Sequence, residues 1–217
     1  MIEKQFPDRQ SIRLKSFDYS LNGVFFVTIC THDRQLLFDE IIWCHRANDF
    51  VERHVGATLC GRPPQTSIMI DNWLHEIGNK FSGILLDSYA IMPDHIHAIF
   101  IVCRDLYIAG DHAGSPLQKQ IKCDEKLDNN TQMNRLGDVV GWFKTMTTNE
   151  YIKGVRQGIY PRFDTKLWQR NYYEHIVRNE ADLSQVRRYV YENPIRWEID
   201  GKEPSQGMDF FEKEKRC

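Results

Sequence analysis

Tyr89-Ala-Ile-Met-Pro-Asp-His-Ile-His-Ala-Ile-Phe-Ile-Val102 is apolar almost throughout, yet it holds two histidines, His95 and His97, with Ile96 between them. A β-strand sends alternate side chains to opposite faces, so both imidazoles leave the same side. Ile96, Ala98, Ile99, Phe100 and Ile101 around them mark a strand covered on both faces. Two imidazoles buried side by side need a partner for their ring nitrogens. A metal ion is the simplest one, since neutral imidazole is the commonest metal-binding side chain. A pair of hydrogen-bonded core histidines is the alternative reading of the same motif.

Working outward, Gly83 to Met92 and His95 to Val102 form two strands separated around Pro93-Asp94, most simply as an antiparallel pair. Gly23 to Thr31 is rich in β-branched and aromatic residues and reads as a buried strand. Ile70, Trp73, Leu74, Ile77 and Phe81 recur at helical spacing, which predicts an amphipathic helix over Ser67 to Phe81. Val139, Trp142, Phe143 and Met146 predict a second over Asp138 to Ile152. A third runs from Asn179 to Asn193: Asn179 can cap it, and Glu180 and Asp182 lie in the first turn, where the helix dipole favours anions. Pro194 is expected to end it, because the residue before proline avoids the helical region. Strand, helix, strand, strand, helix is consistent with an α+β split βαβ sandwich. Ile42 to Thr66, with Gly56, Gly61, Pro63 and Pro64, does not join the pattern. The polar stretch Arg104 to Arg135 reads as an irregular insertion. Residues 1–197 are therefore expected to form one domain, and 198–217 a polar tail.

The chain has 217 residues, enough for one sizeable core. It contains no 18-residue apolar run and no N-terminal signal-peptide pattern, so a soluble cytoplasmic protein is expected. Its six cysteines include no CxxC pair and are read as reduced thiols, with Cys30 and Cys103 as small core residues. The formal net charge is −2, but charge is unevenly placed. Between Lys144 and Trp197 there are ten Lys or Arg against six acids, a surplus of +4. Trp142, Phe143, Tyr151, Tyr160, Phe163, Trp168, Tyr172 and Tyr173 are interleaved with them or just precede them. Cations for phosphates and flat rings for bases suit a single-stranded nucleic acid. A folded half with a solvated basic face is the alternative.

Met92-Pro93-Asp94-His95-Ile96-His97 resembles the His-hydrophobic-His motif of the HUH endonucleases, which handle single-stranded DNA. The order of further segments is similar to that of the REP-associated tyrosine transposases. These segments are Ser11–Ser20, Phe25–His32, Val140–Thr147, Leu167-Trp-Gln-Arg-Asn-Tyr-Tyr-Glu-His175 and Arg187-Arg-Tyr-Val-Tyr-Glu-Asn-Pro-Ile-Arg-Trp197. The resemblance implies a ferredoxin-like sandwich whose central antiparallel sheet carries the His strand. It implies single-stranded DNA bearing repetitive extragenic palindrome-like hairpins as partner, in a monomer or homodimer near the nucleoid. It also implies cleavage and rejoining through a 5′-phosphotyrosine intermediate with Mg²⁺ or Mn²⁺.

Tyr189 and Asn193 lie four apart and share a face of the third helix. Transposases of this kind carry a nucleophilic tyrosine on such a helix, and an amide four positions on can complete their metal site. By that resemblance Tyr189 is the nucleophile, and His95, His97 and Asn193 are the metal ligands. A packing tyrosine beside Leu183, Val186 and Val190 is the other reading of Tyr189. Tyr172 is a rival nucleophile, with His175 three residues on to orient it. Lys144, Arg170, Arg187 and Arg188 are candidate phosphate contacts. Two other functions remain open: a hairpin-binding protein that does not cut, and a metal-dependent hydrolase. The latter lacks a His-Glu-x-x-His motif, and none of the eight histidines begins a His-x-Ser/Thr motif.

Overall fold

The computed structural model describes residues 22–38, 40–47, 50–58, 65–103 and 135–200. Six strands, β1 (Gly23–Cys30), β2 (Glu40–Ala47), β3 (Phe50–Thr58), β4 (Ile84–Met92), β5 (His95–Val102) and β6 (Tyr173–Val177), form one sheet in the order β3-β2-β4-β5-β1-β6. Every neighbouring pair is antiparallel. Helix α1 (Gln65–Lys80) follows β3, α2 (Leu136–Arg156) precedes β6, and α3 (Glu180–Asp200) follows it. The inner order β4-β5-β1-β6, with α1 and α2 as the crossing helices, is the ferredoxin-like α+β arrangement. The hairpin β2–β3 extends the sheet beyond it. This hairpin occupies much of the 42–66 stretch that sequence reading left without structure.

Alternation along the strands explains two cores. One face gathers Phe25, Val27, Ile29, Ile91, Ile96, Ala98 and Phe100 against Ile70, Leu74 and Ile77 of α1 and Val139, Val140 and Phe143 of α2. The other gathers Phe26, Trp43, Ala90, Met92 and Ile99 against Leu183, Val186 and Val190 of α3. At roughly 1.5–3 kcal/mol per fully buried large apolar side chain, these two layers supply most of what holds the sheet between its helices. His95 and His97 belong to the α3 face: His97 is in register with Thr28 and Ala90, and His95 with Cys30 and Met92.

Local signals set the helix ends. Asn179 Oδ1 accepts the Asp182 N–H, the expected cap of α3. At the end of α2, Ile159 N–H reaches Gly154 O and Gly158 N–H reaches Val155 O, while Gly158 has φ +73°. This is a Schellman stop, and it needs a left-handed residue. The chain then folds back so closely that a Cβ on Gly154 would lie 2.1 Å from the Tyr160 ring.

Three expectations are corrected. Helix α3 does not stop at Asn193 but continues through Pro194 to Asp200. Proline removes its own hydrogen bond to the preceding turn and crowds the carbonyl of Val190, and contacts beyond it offset that cost: Trp197 packs against the α3-face core and Arg196 pairs with Glu192 at 2.6 Å. Cys103, read as a reduced thiol, is disulfide-bonded, whereas Cys30 and Cys44 are buried and not in disulfides. Which cysteines meet is decided by the path of the chain, and sequence spacing does not show it. The segment 173–177, not foreseen as a strand, is β6. The proposed insertion at 104–135 lies, apart from Arg135, outside the described residues, as does the tail beyond Asp200. Among the described residues no helix is long and apolar enough to cross a membrane.

Candidate active site on the α3 face of the sheet

Both histidines are almost completely buried, and their Nε2 atoms face each other at 3.0 Å. Each is oriented from behind through its other nitrogen. His95 Nδ1 lies 2.6 Å from Asp94 Oδ1, and His97 Nδ1 lies 2.9 Å from Thr28 Oγ1. A hydrogen bond at Nδ1 fixes the ring and directs Nε2 forward, the arrangement that supports imidazole ligands. Asp94 is held in turn: its Oδ2 meets Arg34 Nε at 2.8 Å, and Arg34 also donates to Cys30 Sγ at 3.1 Å.

The turn that delivers Arg34 is strained. Asp33 and Arg34 have φ of +53° and +56°, a region that costs non-glycine residues about 1 kcal/mol or more each. Backbone bonds from Thr31, Leu37 and Phe38 to the carbonyls of Pro93 and Asp94 tie this turn to the β4–β5 turn, which carries Asp94.

Helix α3 closes the site from above. Asn193 Nδ2 lies 2.9 Å from His97 Nε2, and the Tyr189 ring sits edge-on to the same imidazole at 5.2 Å. Phe26 stacks on the other side of His97 at 5.3 Å and meets Tyr189 edge-on at 5.8 Å. Trp197, one turn past Asn193, brings its ring to 6.0 Å from His95. Asn193 is buried, while Tyr189 is half-buried at the edge of the core.

Two ties fix the helix that carries these groups. Asp87 is the bulged residue between Leu86 and Ser88 of β4, and its carboxylate takes both Arg187 Nε (2.8 Å) and Nη2 (2.6 Å). A bulge re-aims a side chain in this way. The Asp87 hydrogen bonds raise the Arg187 guanidinium above its already high range. At the start of α3, His175 Nε2 contacts both oxygens of Asp182, at 3.0 and 3.1 Å.

The structure therefore brings together His95, His97, Tyr189 and Asn193 and places the other candidates elsewhere. Tyr172 packs into the α1/α2 core, with the Lys144 ammonium 5.7 Å from its ring centroid. Its neighbour Tyr173, in register with Thr28, stands on the site face and is exposed. His175 faces Asp182, not the imidazole pair. Lys144 Nζ donates to the carbonyls of Gln169 and Asn171, each at 2.9 Å. Burial lowers its pKa to about 8, with the charge of Cys30 acting in the opposite direction. Arg170 is exposed, and Arg188 pairs with Glu192 at 2.5 Å on the solvent side of α3. Thr28, Arg34 and Trp197 were missed in the sequence, where only Asp94, adjacent to His95, carried a local signal.

The arrangement gathers three donors at one point: two imidazole Nε2 atoms and a primary amide. No three His, Cys, Asp or Glu side chains among the described residues are gathered as a metal set; beside the two imidazoles here stands an amide. Asn193 Oδ1 is buried and has no hydrogen-bond partner among the described residues. The two ends of an amide are nearly isosteric, so a half-turn would set this oxygen, a hard donor, beside the imidazoles. The residues present thus fit a divalent cation.

A ferredoxin-like sheet with a His-hydrophobic-His pair beneath a tyrosine-bearing helix defines the class of fold and site. The chain belongs to the same family as an uncharacterised protein of Haemophilus influenzae, with which it shares 30% identity over 192 residues, 88% of this chain and 91% of that one. It is also similar, at 23% identity over 184 residues, to a protein of that organism named provisionally as a REP-associated tyrosine transposase. That similarity covers 82% of this chain and 74% of the relative. A solved structure of a REP-associated tyrosine transposase bound to a REP hairpin aligns with a TM-score of 0.45 and 14% identity, over 85% of this chain and 74% of that one. No protein-family model matches the chain.

Proposed function

We propose that the protein is a single-tyrosine DNA transposase or nickase that binds single-stranded DNA bearing hairpins. On this reading it cleaves and rejoins the strand through a 5′-phosphotyrosine link formed by Tyr189. The observation that carries the reading is the meeting of Tyr189 and Asn193, four residues apart on α3, on the one imidazole of His97. A core packing role for Tyr189 would not require a buried amide with an orphaned oxygen beside paired imidazoles.

His95, His97 and Asn193 would hold Mg²⁺ or Mn²⁺, the amide oxygen suiting either ion. When bound, such a cation polarises the scissile phosphate and offsets charge on the leaving 3′-oxygen. Tyr189 attacks phosphorus: its Oη–P bond forms as the P–O3′ bond breaks, the phenol loses its proton and the 3′-oxygen gains one. Asp94 and Thr28 keep both Nε2 atoms turned to the site, and Phe26 and Trp197 wall off water. The phosphodiester linkage survives in the tyrosyl ester, so the strand can be resealed without a nucleotide cofactor.

The test is a denaturing gel of protein incubated with labelled single-stranded hairpin DNA and Mg²⁺ or Mn²⁺. A protease-sensitive shifted band in wild type that is absent in His95→Ala supports the proposal. Hairpin binding with no adduct, across several hairpins and both metals, would instead make the protein a binder that does not cut.

A further inference from the structure

On the opposite face of the sheet, α2 and the segment 163–170 line an open, solvent-facing cavity of about 460 Å³. The segment is anchored at the same end of β1 as His95. Gln169 N–H donates to Cys30 O and His32 N–H to Leu167 O, both at 2.9 Å. The Lys144 ammonium clamps the carbonyls of Gln169 and Asn171 from beneath. The indole of Trp168 is fixed by its N–H on Thr147 Oγ1 at 2.9 Å. The cavity wall is therefore rigid without any contribution from four of the polar side chains that line it: Asn149, Lys166, Gln169 and Arg170. None of these four has a side-chain hydrogen bond or ion pair among the described residues. Phe163 supplies a flat ring beside them.

Two spare cations, two spare amides and an aromatic ring around a nucleotide-sized space have a definite chemistry. Cations neutralise phosphate, amides pair with base edges, and rings stack on bases. We propose that this cavity is a nucleotide-binding subsite for the single-stranded DNA that reaches the His95–His97 site. One base lies against Phe163 within reach of Asn149 and Gln169, and its flanking phosphates lie on Lys166 and Arg170. This rests on the proposed function. Because the cavity adjoins the end of β1 that also flanks His95, one strand crossing the sheet end would occupy both.

The experiment compares a blunt hairpin with the same hairpin carrying a single-stranded extension, by fluorescence anisotropy across a salt series. Wild type and Lys166→Gln/Arg170→Gln are compared, with thermal unfolding as the folding control. In wild type the extension is expected to raise affinity roughly tenfold, the size of one base-stacking contact. In the double variant that gain disappears and the salt slope for the extended hairpin falls by about 1.4, the value for two lost phosphate contacts on a single strand. A photoreactive base walked along the extension crosslinks to the 149–170 region at one position. An extension that adds no affinity in wild type, or crosslinks confined to α3, overturns the subsite while hairpin binding itself stands. Equal competition by a free deoxynucleoside monophosphate overturns it in favour of a mononucleotide site. Failure to bind any hairpin contradicts the proposed function instead.

Discussion

Asn193 gives its amide nitrogen to His97 Nε2 at 2.9 Å and leaves its own oxygen buried without a partner among the described residues. An orphaned buried acceptor costs about 1–3 kcal/mol, so the fold maintains this amide at a loss of stability. Replacing it with an apolar isostere separates the two roles. Asn193→Leu is expected to unfold at the same urea concentration as wild type or a higher one. The same variant loses Mn²⁺ binding measured by calorimetry. A variant that loses stability by several kcal/mol yet binds Mn²⁺ normally would make Asn193 a structural residue only.

Asp94 acts through His95. Its carboxylate bridges His95 Nδ1 and Arg34, so Asp94→Asn keeps the shape and removes the charge that orients the ring. Loss of such a supporting group lowers metal affinity by roughly 10–100-fold. Calorimetric titration of Mn²⁺ into the variant checks this, and unchanged affinity would contradict it.

Arg187 ties α3 to the sheet, since its Nε and Nη2 are spent on Asp87 and its Nη1 lies 3.9 Å from Glu180. Arg187→Ala strands a fully buried carboxylate whose other neighbour is the Ser88 hydroxyl. The expected cost is about 3 kcal/mol, near the low end for breaking a buried pair because the guanidinium is partly open to solvent. Urea unfolding measures it. A loss of DNA affinity with stability intact would restore Arg187 as a phosphate contact.

Lys144 gives a signed pH dependence. In the unfolded chain its ammonium titrates in the ordinary lysine range near ~10.4. In the fold, burial brings this to about 8. Between the two values the unfolded state holds more protons, so stability rises with pH there, and the penalty of burying the charge is fully present below about 8. Wild type should therefore gain stability relative to Lys144→Met as pH goes from about 7 to about 9.5. A difference that stays flat, or that shrinks, contradicts this.

Much of the site was legible because its signals are local. Two periodicities put His95 and His97 on one strand face and Tyr189 and Asn193 on one helix face, but that the two pairs belong together was implied only by the family resemblance. The apolar runs that bury α1 and α2 were equally plain. What was not legible is non-local or conflicting. Gly56 and the prolines just beyond Thr58 masked the β2–β3 hairpin, although Ile41, Ile42, Trp43 and Cys44 already formed a short apolar run. β6 is only five residues long, too short for its alternation to stand out. Pro194 signalled a stop that Trp197 overrides from beyond it. Arg34 reaches Asp94 through a left-handed turn, and no pattern in the chain announces that meeting.

The most direct test of the account is to identify the residue that carries DNA. Protein trapped with a single-stranded hairpin and Mn²⁺ is digested with protease and nuclease, and the nucleotide-bearing peptide is sequenced by mass spectrometry. The account predicts a nucleotide on Tyr189 and its loss in Tyr189→Phe. A nucleotide on Tyr172, Tyr173 or any other residue, with Tyr189→Phe still forming the adduct, would contradict it.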